Sequence, residues 1–307
     1  MTPNINQQMN LTDVIMLVAL SVLWGGSFFF VEVLVKHLSP LTIVTCRVGF
    51  AALALWAIVL ARGILLPSTW QQWSSLFVIG LLNNALPFSL IAWGQTQISS
   101  GLASIFNATT PFFTVIVAGA VLTDEGITKQ KMTGVIVGLL GTIVLIGPEA
   151  LKGLTGSMLG QLAVMGAAVS YAFAAAYARR FKKWGLSPLI VATGQVTMAT
   201  LILLPLMIII DKPWIDLVIP LDVIWAISGL VIFSTVIAYI LYFRLIASAG
   251  ATNAALVTFL IPISAILLGV TILGETFTGL QAVGMGLIGL GLLVMDGRIF
   301  QRLKTYL

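Results

Sequence analysis

The chain has 307 residues, of which 59% are hydrophobic and only 8% charged, against about 25% charged in soluble domains, which excludes water as its main solvent. A net charge of +5 in such a chain points to loops that hold Lys and Arg against anionic lipid, not to nucleic acid. One cysteine (Cys46) and one histidine (His37) exclude a disulfide framework and a thiolate or His-cluster metal site.

The opening MTPNINQQMNLTD has no basic n-region and no small-residue cleavage site, so no removable signal peptide is expected. About ten apolar stretches of bilayer-crossing length follow, near 12–31, 41–61, 74–95, 100–122, 131–148, 158–177, 188–210, 222–245, 252–273 and 279–297. Breaks such as RGILLPSTW, LTDEGITKQK, GPEALKGLTG and RRFKKWGLSP separate them, and 95–101 reads as a short uncharged turn. The fold class expected is an all-α integral membrane protein.

The first stretch carries Trp24 and ends beside Glu32. The second starts at Pro40 and holds Arg47 seven residues later, roughly 10 Å deep at 1.5 Å per residue. A cation there costs about 2.5–3.5 kcal/mol at the centre of a span, so Arg47 should face protein, water or an acidic partner. Two readings stand: a gate pair with Glu32, or a contact to a substrate carboxylate. The third stretch, GLLNNALPFSLIAW, puts Asn83 and Asn84 near the bilayer centre, ahead of Pro87 and Phe88. Asn107 and Pro111 lie in the fourth, Tyr171 in the sixth, Ser234, Thr235 and Tyr239 in the eighth, and Thr258 and Pro262 in the ninth, which ends near Glu275. Glycines fill the fifth and tenth, GVIVGLLG (134–141) and GMGLIGLG (284–291). Small residues let helices approach closely, inside one chain or across a dimer; a homodimer is compatible with this, and a monomer suffices.

With the N-terminus inside, the inner loops and tail collect Arg62, Lys129, Lys131, Arg179, Arg180, Lys182, Lys183, Arg244, Arg298, Arg302 and Lys304, and the outer loops only Lys36, Lys152 and Lys212. That asymmetry places both termini in the cytoplasm.

The chain also repeats itself. LSPLTIVTCR (38–47) returns as LSPLIVATGQ (186–195), with Gln195 where the first copy has Arg47. ISSGLASIFNATTPFFTVIVAGAVLTDE (98–125) resembles SAGATNAALVTFLIPISAILLGVTILGE (248–275), with Pro111 over Pro262. Two five-helix halves are expected, 1–150 and 151–307. An odd number of helices per half turns the second copy over, and the charges agree: KHLSP carries one Lys, whereas RRFKKWGLSP carries four basic residues. Inverted halves of this kind are common in secondary transporters.

Pro87, Pro111 and Pro262 each have a polar residue four positions earlier, Asn83, Asn107 and Thr258. Each proline frees a carbonyl there, so a carbonyl and a polar side chain come together at membrane depth. Such groups can receive an ammonium and donate to a carboxylate. Asn83 and Asn84 correspond to Ser234 and Thr235 on the symmetry-related helix, and Trp24, Phe88, Tyr171 and Tyr239 can form an aromatic sleeve.

WGGSFFF, the SP that opens the second helix with Arg47 behind it, and the segments TTPFFTVIVAGAVLTDE and IPISAILLGVTILGE resemble the EamA-type repeats of the drug/metabolite transporter superfamily across nearly the whole chain. The resemblance implies ten helices around a central cavity, alternating access, and export of small metabolites. Within the superfamily it is similar to bacterial inner-membrane exporters of amino acids, aromatic ones included. The second half lacks the Arg and the Trp-Gly pair.

No acidic pair, Gly-rich phosphate loop or Ser-His arrangement marks an enzyme, and no cofactor is called for. A phosphate-bearing substrate would need several midplane cations, and a proton-coupled exporter of cationic drugs a midplane carboxylate. The expectation is gradient-driven export of a neutral or zwitterionic solute. The alternatives are a carrier of drugs, quaternary compounds or other metabolites, or a channel.

Overall fold

Asn10 opens the first helix, α1 (Leu11–Leu34), with a capping box: its side chain accepts from the Asp13 N–H at 2.9 Å and Asp13 accepts from the Asn10 N–H at 3.0 Å. α2 (Pro40–Ala61) and α7 (Pro188–Asp211) both start with Pro at the first position, where a missing N–H loses no helical partner. The two LSPL phrases are thus one structural element, but their caps differ. Ser187 accepts from the Ile190 N–H at 3.2 Å, whereas Ser39 caps nothing. Asp211, from the far end of α7, takes that role: its Oδ2 accepts from the Thr42 N–H at 2.7 Å and the Thr42 hydroxyl at 2.8 Å. Losing a cap costs about 1 kcal/mol, so Asp211→Ala should melt a few degrees earlier in detergent. An unchanged melting temperature would show that the cap adds nothing.

The remaining helices are α3 (Trp70–Gly94), α4 (Ser100–Val121), α5 (Lys129–Ile146), α6 (Met158–Lys183), α8 (Leu221–Ala249), α9 (257–264) and α10 (Gly279–Asp296). α2 and α6 close on Gly63 and Gly185, whose positive φ (58° and 62°) suits the left-handed residue after a helix end. The computed structural model describes residues 10–121, 128–146, 157–214, 219–249, 254, 257–264 and 278–296. Among these, seven helices (α1 to α4 and α6 to α8) are long and apolar enough to cross a membrane. The expected fifth, ninth and tenth spans lie partly outside the described residues, as do the opening segment 1–9, the loops 122–127 and 147–156, Glu275 and the tail.

Packing relates like to like. α2 and α7 run antiparallel: Thr42 meets Asp211, Gly49 faces Thr200, and the Trp56 indole N–H donates to Thr197 Oγ1 at 2.9 Å. α5 and α10 do the same, with Gln130 donating to the Val294 carbonyl at 2.9 Å and Gly138 against Gly291. Equivalent helices meeting antiparallel is what two inverted halves require. The other contacts follow the same exchange, α1 on α8 matching α6 on α3, and α2 on α8 matching α7 on α3. Without a hydrophobic drive between helices in lipid, close packing holds them, and the glycine stripes of α5 and α10 are used on each other.

Since successive spans alternate in direction, one face carries Arg62, Lys129, Lys131, Arg179, Arg180, Lys183 and Arg244. This basic face also holds Asp13, buried, which accepts from Ser248 at 2.6 Å and ties α1 to the end of α8. The opposite face holds His37, 3.2 Å from Asp222.

Candidate functional site

α3 and α8 are regular helices except at one place each. A π turn spans Leu81–Ala85 in α3 and Ile232–Ile237 in α8, and the first residues are 151 apart (232 less 81), the repeat offset. A π turn unseats a backbone hydrogen bond and re-aims its side chains, and such turns gather at functional sites. Hydroxyls answer the loosened carbonyls: Thr235 Oγ1 donates to Leu230 O at 2.8 Å, and Ser170 of α6 donates to Leu82 O at 2.6 Å.

Between these two bulges lies a cavity of ≈ 210 Å³, reached by side chains of α1 to α4 and α6 to α9. At its end nearest the opposite face, Val31, Ile43, Val44 and Ala92 are all buried, while Ala175 nearer the basic face is exposed and Ala178, Phe243 and Ile246 are partly so. The cavity is therefore closed on the side away from the basic face. Aromatic rings surround it: Trp24, Phe28, Phe88, Tyr171, Tyr239, Tyr242 and Phe243. Its lining holds one formal charge, Arg47, and no carboxylate among the described residues. No cluster of His, Cys, Asp and Glu able to hold a metal occurs among them either.

Arg47 is 7% exposed. Its Nε–H donates to Thr235 Oγ1 at 3.0 Å, an Nη2–H reaches the Ser234 carbonyl at 3.4 Å, and its guanidinium lies 3.8 Å above the Phe88 ring. Cation–π contact is worth up to about 2 kcal/mol when desolvated. These contacts hold the cation in place without neutralising it. Gln195 makes the counterpart contact in the other half: its Oε1 accepts from Asn83 Nδ2 at 3.0 Å. So α2 bonds the π turn of α8 through Arg47, and α7 bonds the π turn of α3 through Gln195. One of the two equivalent links is charged and the other neutral.

The structure brings Trp24, Arg47, Asn83, Phe88, Asn107, Tyr171, Tyr239 and Thr258 to this one cavity. It leaves others out. Asn84 sits behind the wall, fully buried, donating to Tyr239 Oη at 2.5 Å, and Ser234 donates to the Leu23 carbonyl of α1 at 2.7 Å. These two bonds serve helix packing, tying α3 to α8 and α8 to α1, although the Asn84 Oδ1 is buried without a partner among the described residues. The Arg47–Glu32 gate pair is not formed: Arg47 points to α8, and Glu32 is not in the lining. The carbonyl freed by Pro111 is already occupied, since Thr110 Oγ1 donates to Asn107 O at 2.6 Å. α4 breaks there into Ser100–Asn107 and Thr110–Val121. Near Pro87 the helix answers with the π turn, and Pro262 lies within α9.

Sequence reasoning missed Gln95, Gln195, Thr110, Thr114, Phe28 and Tyr242 as lining residues. Gln195 carried a signal, its match to Arg47 across the repeat. Gln95 carried none, because it follows the last turn of α3 in a segment that reads as loop. Its Nε2 donates to the Phe28 carbonyl at 3.0 Å.

A family model described as the EamA-like transporter family matches residues 11–147 and again 158–295. An uncharacterized transporter of Archaeoglobus fulgidus is 25% identical over 246 residues, covering 80% of this chain and 84% of that protein. The uncharacterized inner membrane transporter YedA of Escherichia coli K12 is 27% identical over 257 residues, covering 82% and 80%. Protein PecM of Dickeya dadantii is 26% identical over 251 residues, covering 80% and 79%. A solved crystal structure shares the fold with a TM-score of 0.71 at 19% identity, covering 92% of this chain and 97% of the other.

Proposed function

The chain belongs to the EamA-like transporter family, and from that premise we propose that it exports small zwitterionic metabolites, amino acids with aromatic side chains among them, across a bacterial inner membrane. The observation that carries this reading is the cavity between the π turns, whose aromatic lining holds one cation and no carboxylate among the described residues. A buried charge wants a partner. A substrate carboxylate meets Arg47, and an apolar or aromatic side chain fills the sleeve. The unopposed cation disfavours quaternary ammonium compounds, which repel it. The two halves, inverted, work by alternating access around the fixed site, with a monomer in the bilayer sufficient and no cofactor involved.

The basic face is cytoplasmic in this reading, with both termini on that side, and the cavity described here faces inward. Single cysteines tested in a Cys46→Ser background are expected to report this. One at Lys183 should react with an impermeant maleimide only in inside-out vesicles, and one at Lys36 only in right-side-out cells. Reversed labelling would invert the orientation.

The function itself is tested by counterflow. Proteoliposomes preloaded with unlabelled phenylalanine, methionine, threonine or alanine should accumulate labelled solute transiently and saturably. A channel gives neither accumulation nor saturation, and that result would replace the carrier reading.

A further inference from the structure

Three polar atoms in the cavity lining are buried and have no hydrogen-bond partner among the described residues: Asn107 Oδ1, Gln95 Oε1 and Gln195 Nε2. Each is costly to leave unmade, about 1–3 kcal/mol. Their sorting by depth is informative. Arg47 is seven residues past the start of α2 at Pro40, and Asn107 is seven past the start of α4 at Ser100. Both helices start at the opposite face, so both residues lie roughly 10 Å below it at 1.5 Å per residue. Gln95 is anchored at the same level, because its Nε2 is spent on the carbonyl of Phe28, six residues before the end of α1. That bond also fixes which end of the carboxamide is left over, and it is the oxygen. Asn107 and Gln95 are 7% and 4% exposed.

One level of the cavity therefore holds a cation that only donates and two carboxamide oxygens that only accept. We propose that this level is a head-group site for an α-amino acid, with Arg47 taking the carboxylate and Asn107 Oδ1 and Gln95 Oε1 taking the ammonium. An α-amino acid is the small solute whose opposite charges sit on adjacent carbons, so one layer can bind both. A monocarboxylate leaves the two oxygens unmet, and an amine places a second cation beside Arg47. The side chain then extends towards the basic face, where Trp24, Tyr171, Tyr242 and Phe243 line the cavity and Gln195 Nε2 is a buried donor without a partner among the described residues. Selection is strict for the head group and permissive for the side chain, since an apolar sleeve discriminates weakly and unpaired buried polar groups discriminate strongly. This inference rests on the transporter reading and narrows its substrate class.

The test uses one carbon skeleton with its charges removed in turn. Purified protein in proteoliposomes is assayed for counterflow of labelled phenylalanine, methionine and threonine, each competed by its own unlabelled form, its decarboxylated amine and its deaminated acid. The expected result is that both single-charge analogues compete at least roughly 30-fold more weakly than the amino acid, the effect of leaving a buried charge-assisted bond unmade. Asn107→Asp keeps the side-chain shape and charges the unpartnered oxygen. It should improve competition by the amine at least about tenfold and weaken competition by the acid. Melting in detergent checks that the variant is folded, and the wild-type series decides the matter if it is not. If saturable counterflow is found but an analogue competes as well as the amino acid, the head-group site is wrong and the carrier stands. Saturable flux of none of the three, with no melting shift from any of them, would remove both.

Discussion

Arg47→Gln is expected to abolish measurable saturable uptake, with substrate affinity lowered at least roughly 30-fold, while the protein stays folded. Truncating one partner of a buried charge pair costs about 2–5 kcal/mol, and in the proposed function the second partner is the substrate carboxylate. Before substrate binds, the guanidinium is held by Thr235, the Ser234 carbonyl and the Phe88 ring, but no carboxylate among the described residues neutralises it. Its removal should therefore leave the melting temperature of the free protein unchanged or raise it, because an uncompensated buried charge is lost. What should disappear is the stabilisation by added amino acid. Arg47→Lys keeps the charge but not the planar fork, so the contacts to Thr235 and Ser234 cannot both survive and only partial activity should return. Unaltered affinity in Arg47→Gln proteoliposomes would take Arg47 out of the substrate path altogether.

Gly291→Val is expected to have the largest effect on stability. A Cβ on Gly291 would lie 2.5 Å from the Gly138 nitrogen and 2.7 Å from the Gly134 carbonyl, so it meets backbone that cannot rotate away. α5 and α10 would have to separate along their whole crossing, at a cost of about 3 kcal/mol. The control lies on the same helix: a Cβ on Gly286 meets nothing within 4 Å, and Gly286→Ala should be neutral or stabilising by about 0.5–1 kcal/mol. Yield of monodisperse protein and its melting temperature in detergent separate the two. Equal behaviour of the variants would mean that the α5–α10 contact does not hold the fold.

Much of this architecture was legible because its physics is local. A bilayer demands long apolar helices, so the spans α1 to α4 and α6 to α8 follow from hydropathy and punctuation alone. The repeat was legible for the same reason, since LSPL starts a helix wherever it occurs. The antiparallel meeting of α2 with α7 and of α5 with α10 is the arrangement expected of an odd number of helices per half. The depth of Arg47 could be counted from Pro40, but its direction could not. Nearness in sequence suggested Glu32, whereas the partner is on α8, 188 residues away.

The amino-acid sequence thus determined the solvent, the spans, the repeat and the list of polar residues that a membrane makes expensive. Tertiary structure decided which of those residues are still unsatisfied. The Asn84 amide N–H, the Ser234 hydroxyl and the carbonyl of Asn107 are equally polar on paper, yet each has found a partner in Tyr239, Leu23 or Thr110. Asn107 Oδ1, Gln95 Oε1 and Gln195 Nε2 have not. That distinction depends on where neighbouring helices place their donors and acceptors, which is a property of packing, and packing is what separates structural polar groups from those left for a substrate.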